Sequence, residues 1–148
     1  MSDQLCTFPV ALLAKEKGFQ KFKSSENIEG EFFFYNNFGV IDSNYYKKGL
    51  GSKLGAMLND KNVGAKWSNS CEAPTQTELQ KWLRETHKIF VSVDFDPEYH
   101  KTGIYSADVR SLKEENLGER LLDGFLLHTD YGEALEEGLH ETLKFIND

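Results

Sequence analysis

Cysteine, long apolar runs and positive charge are all in short supply in this chain. Its two cysteines, Cys6 and Cys71 among 148 residues, are far from the dense spacing of a small secreted scaffold, so they read as reduced thiols of a cytosolic protein. No cysteine pair has zinc-ligand spacing, and no serine sits in a nucleophile elbow; a zinc or nucleophilic enzyme is disfavoured. No apolar stretch approaches the roughly 20 residues of a membrane helix. Met1-Ser2-Asp3-Gln4 also lacks the charged flank and apolar core of a secretion signal. The expectation is a soluble, cytoplasmic protein without membrane contact. Lys and Arg number 17 against 24 Asp and Glu, a net charge of −7. Direct binding to nucleic acid or anionic membrane is therefore disfavoured, because both need a positive field.

What is present suffices for a single domain, 1–148. A chain of this length buries roughly 68–70% of the surface its unfolded form exposes and needs no cofactor or crosslink to hold it. Residues 74–95 (PTQTELQKWLRETHKIFVSVDF) spell out a helix that runs directly into a strand. Thr75 and Glu78 have capping-box spacing, and Leu79, Trp82, Leu83 and Thr86 share one helical face, with Gln80, Lys81, Arg84 and Glu85 on the other. From Ile89 the period becomes two, with Ile89, Val91, Val93 and Phe95 on one side.

The flanking elements follow from the same rules. An opening helix begins after Thr7 with Pro9 in its first turn, carries Val10, Leu13 and Ala14 inward, and ends at Gly18 with Phe19 folding back. Residues 31–35 (EFFFY) make a short strand. Residues 36–70 lose any clear period and read as an irregular excursion, with one candidate helix at 52–59. Residues 104–109 form a second strand of a hairpin with a long loop, and 111–118 are polar with room for one helical turn. A further strand covers 121–128, with a bulge or weak point at Gly124. A last helix starts at Asp130 and Glu133 and points Ala134, Leu135, Gly138, Leu139, Thr142, Leu143 and Ile146 inward. Gly138 on that stripe predicts a close backbone approach, since glycine weakens a helix by about 1 kcal/mol relative to alanine. The order predicts an α+β fold, a mainly antiparallel sheet of about four strands with helices packed on one face.

Three runs taken together, LAKEKGF (13–19), APTQTELQKWLRETH (73–87) and YGEALEEGLHETL (131–143), resemble a group of small uncharacterised proteins carried by prophages and mobile elements of gut-type bacteria. They span about a quarter of the chain. The resemblance implies a phage-related context and no chemistry. Small acidic proteins of such elements often bind a host defence protein or its signalling molecule, which makes inhibition of a host protein the functional expectation.

Three stretches carry candidate sites. Partner contact falls to Tyr45, Tyr46, Lys47, Lys48 and Lys53, which combine aromatic faces with charge, and to the acidic helix face of Glu133, Glu136 and Glu137. A solvated face is the plain reading of the latter. Alternatively, Gly49, Gly51, Ser52 and Lys53, within the glycine- and lysine-rich 47–55, could cradle a phosphate or nucleotide, although the order of residues departs from a P-loop. Residues 94–100 place Asp94, Asp96, Glu98 and His100 around one turn, a set able to hold a hard divalent cation for metal-assisted hydrolysis. Asp96-Pro97 is also ordinary turn chemistry.

Overall fold

The computed structural model describes residues 4–19, 30–35, 40–46, 71–97 and 103–146. The fold is α+β, and every strand pairing among these residues is antiparallel. Where the sequence suggests one sheet of about four strands, the described residues form two sheets, one in each of two compact units, Leu5–Pro74 and Met1–Gln4 with Thr75–Asp148. Each carries its own three-stranded sheet.

In the first unit, helix α1 (Phe8–Glu16) starts after Thr7 with proline in its first turn. Gly18, at φ +101°, closes it. The Phe19 N–H bonds the Ala14 carbonyl at 2.9 Å and the Gly18 N–H bonds Lys15 at 3.1 Å, the paired bonds of a Schellman motif. Phe19 is buried with Val10, Ala11 and Ala14; Leu13, expected inside, is half-buried. Strand β1 (Gly30–Tyr35) is central, flanked by β2 (Ile41–Tyr46) and the two-residue β3 (Cys71–Glu72). Strand β2 lies within the stretch read as irregular from sequence. Its Asp42, Ser43 and Asn44 are poor strand formers, and the strand sits at a sheet edge, where pairing on one side suffices. The Tyr35 hydroxyl donates to the Cys6 carbonyl, and its ring lies 5.4 Å from that of Phe8. Both cysteines are buried. The candidate helix at 52–59 lies outside the described residues.

The second unit centres on helix α2 (Gln76–Thr86), strands β4 (Ile89–Asp96), β5 (Ile104–Ser111) and β6 (Arg120–Leu122), and helix α3 (Tyr131–Phe145). The capping box is complete: Glu78 N–H donates to Thr75 Oγ1 at 3.1 Å and Thr75 N–H donates to Glu78 Oε1 at 3.0 Å. The buried face of α2, however, is rotated from the one the hydropathy pattern suggests. Leu79 and Leu83 are fully buried as expected, but Trp82 is half-buried and Thr86 exposed. Gln76 is buried in their place, and Gln80 also turns inward. Polar residues are tolerated there because their amides are bonded: Gln76 Nε2 to the Gly132 carbonyl at 2.9 Å and Glu136 at 3.0 Å, Gln80 Nε2 to the Val91 carbonyl at 2.8 Å.

Strands β4 and β5 form the expected hairpin, in register from Ile89↔Ser111 to Asp96↔Ile104. Ile89, Val91, Ala107 and Val109 are buried. On the opposite face Asp108 sits between two guanidinium groups, 2.7 Å from Arg110 Nε and 3.4 Å from Arg120 Nε. The strand expected at 121–128 is shorter. Only Arg120–Leu122 pairs continuously, with a register shift at Val109/Arg110, and the chain returns to β5 as an isolated bridge between His128 and Tyr105. In between lies Gly124 at φ +78°, the weak point its sequence marks.

Helix α3 carries its N-cap at Asp130, whose Oδ2 accepts from Glu133 N–H at 2.9 Å. All seven expected inward residues, from Ala134 to Ile146, are buried. Gly138 explains itself by distance: a Cβ there would lie 2.9 Å from Ala107 Cβ and 3.0 Å from Val91 Cγ1. The missing methyl lets α3 settle onto β4 and β5. No helix among the described residues is long and apolar enough to cross a membrane.

Candidate functional site

The chemistry of the second unit concentrates where β4 ends and α3 begins. Phe95 and Tyr105 are directly opposed on the two strands, and their rings lie 4.8 Å apart. Tyr131 meets Tyr105 edge-on at 6.0 Å. Tyr105 exchanges both of its backbone hydrogen bonds with His128, at 2.7 and 2.8 Å, which brings 126–128 to the same end of the sheet. Here Phe95, Leu126 and Leu127 remain 50%, 65% and 53% exposed. Asp94, Asp96 and Asp130 are exposed, as is Glu133, whose side chain is 68% exposed.

The segment bearing Leu126 and Leu127 is held in place by α3. Glu137 accepts from the Leu126 N–H at 3.0 Å and lies 2.9 Å from His128 Nε2. An otherwise irregular stretch is thus anchored by one carboxylate, which satisfies a backbone donor that no sheet partner reaches.

The backbone of β4 adds a second feature. In an antiparallel ladder, alternate residues point their N–H and C=O groups toward and away from a given neighbour. The Val91 carbonyl is taken by Gln80, and Tyr105 bonds His128 rather than Phe95. The odd residues of β4 therefore face away from β5. At Val91 the helix side chain covers this edge. At Val93 and Phe95 no hydrogen-bond partner reaches the outward backbone groups among the described residues, and β4 is the outer strand of its sheet.

A depression of about 410 Å³ lies elsewhere, lined by His87, Ile89, Lys113, Phe145 and Ile146. His87 Nε2 is buried without a hydrogen-bond partner among the described residues, and the ring packs edge-on against Trp82 at 4.8 Å. Burial, seconded by the Lys113 ammonium, holds the His87 pKa below its ordinary 6.5.

The residues singled out from sequence are distributed unevenly over this picture. Tyr45 and Tyr46 end β2, paired with Glu31 and Gly30. Lys47, Lys48, Gly49, Gly51, Ser52 and Lys53 fall outside the described residues, as do Glu98 and His100. Asp94 and Asp96 stand at the end of β4. Among the described residues no three His, Cys, Asp or Glu side chains gather as metal ligands. Of the acidic trio on α3, only Glu133 is exposed; Glu136 accepts from Gln76 and Glu137 from the Leu126 backbone. What sequence reasoning missed are Phe95, Leu126 and Leu127. Phe95 continues the apolar period of β4, which conceals its exposure, and for the two leucines the signal that could have flagged them is Gly124, which ends the strand before it reaches them.

Compared with family models, curated proteins and solved structures, the chain matches none.

Proposed function

We propose that this protein is a non-enzymatic binding protein of phage or mobile-element origin that inhibits or modulates a host defence protein. The observation carrying this reading is that Phe95, Leu126 and Leu127 are exposed at the end of the sheet where Asp94, Asp96, Asp130 and Glu133 are exposed as well. Protein interfaces combine apolar side chains with charged ones around them. The exposed charges Asp94, Asp96, Asp130 and Glu133 are acidic, so the complementary surface is basic. Glu133 belongs to the contact surface, and Glu137 anchors the Leu126 segment from α3, while Glu136 is taken up by Gln76.

The test places a photo-crosslinking amino acid at Leu127 and, as control, at Glu85 on the exposed side of α2. In host lysate the Leu127 probe should trap one protein that the Glu85 probe does not, and Glu133→Lys should reduce the yield while leaving the melting temperature within about 2 °C, as befits an exposed charge. Equal trapping from both positions, or trapping indifferent to Glu133→Lys, contradicts the proposal.

A further inference from the structure

The open half of β4 is specific about what can fill it. The outward N–H and C=O of Val93 and Phe95 alternate at strand spacing, a pattern that only another extended backbone satisfies in full. Since Asp94 bonds toward β5, any strand added outside would oppose it at the closer, non-hydrogen-bonded spacing, where side chains interact most strongly. A second copy of this chain pairing edge to edge would crowd the carboxylates of Asp94 and Asp96 against their counterparts. Like charges across a strand pair repel, which disfavours self-association. A basic residue opposite Asp94 reverses the sign. The residues on either side of it would meet half-buried Val93 and the Phe95 ring, and both contacts favour apolar side chains.

We infer that the Val93 and Phe95 edge of β4 accepts an extended segment of a partner protein, with the pattern apolar–basic–apolar, as an added strand. This rests on the partner-binding reading above and specifies the form that the contact takes. Gln80 sets the boundary of the site: its amide already occupies the Val91 carbonyl, so the added strand starts beyond Val91.

The probe is a seven-residue peptide of alternating valine and lysine, N-methylated on alternate residues so that it has one hydrogen-bonding edge and cannot stack on itself. Titrated into the isotope-labelled full chain, it should shift the Val93 and Phe95 amides and slow their hydrogen exchange. The same peptide with glutamate for lysine should bind at least about tenfold more weakly through the reversed charge at Asp94, and Asp94→Lys should invert that preference. Val93→Pro removes the outward N–H, a position where an edge strand tolerates proline. It should abolish binding with the β4–β5 amide shifts retained. Equal binding of the two peptides, shifts confined to another surface, or a free protein already dimeric through this edge would overturn the inference. If the peptide fails while the Leu127 crosslink persists, strand addition alone falls; if the crosslink fails while the peptide binds, the leucine surface falls.

Discussion

Lys88 holds φ at +56° between α2 and β4, in the left-handed region where side chains other than glycine, asparagine and aspartate are strained by about 1 kcal/mol. Its carbonyl accepts from the Leu112 N–H at 2.8 Å, so the conformation is fixed from outside. Glycine relieves the strain and loses some of the gain to a freer unfolded chain. Lys88→Gly should therefore raise stability by about 0.5 kcal/mol in urea denaturation. The neighbouring His87 gives a pH signature. Because its folded pKa lies below the ordinary 6.5, the unfolded chain takes up a proton first as pH falls through that value. Stability should decline from about pH 6.5 downward and level off below the folded pKa. Urea midpoints measured between pH 7.5 and 5.5 should show this fall, and His87→Phe should flatten it.

At the scale of elements, the helix starts are legible, although Thr7 makes no side-chain cap bond and Asp130 with Glu133 forms only one half of a capping box, and the faces are legible only in part. Thr75 with Glu78 and Asp130 with Glu133 mark the starts of α2 and α3 because an N-cap is a local device, readable from four consecutive residues. The α3 stripe was equally plain, since every inward residue is apolar, small or threonine. On α2 the same rule failed, as the interior accepts Gln76 and Gln80 once tertiary partners bond their amides, and no local pattern announces a partner 56 residues away in sequence. Gln76→Leu, similar in size but without the amide, should cost about 1–3 kcal/mol because the Gly132 carbonyl loses its buried donor. Gly138→Ala sets a helix-propensity gain of about 1 kcal/mol against a methyl pressed into Ala107 and Val91. Overpacking costs about 1–3 kcal/mol, so a net loss is expected, seen as a lower melting temperature.

For the whole molecule, the fold class followed from the order of elements, while the division into two three-stranded sheets did not. Strand β2 contributes a pairing that its polar residues hide, and β6 contributes less than its apolar run suggests, because Gly124 interrupts it. The candidate site shares that history. Asp94 and Glu133 were picked out as charges, yet the apolar side chains and open backbone beside them emerge only when Tyr105 and His128 are paired and the hydrogen-bond phase of β4 is fixed. The open edge thus depends on that phase. Residue-resolved hydrogen exchange on the free protein reads it directly: the amides of Ser92 and Asp94 should be protected by β5 while those of Val93 and Phe95 exchange rapidly. Protection of all four alike would mean that the edge is already covered, contradicting the account.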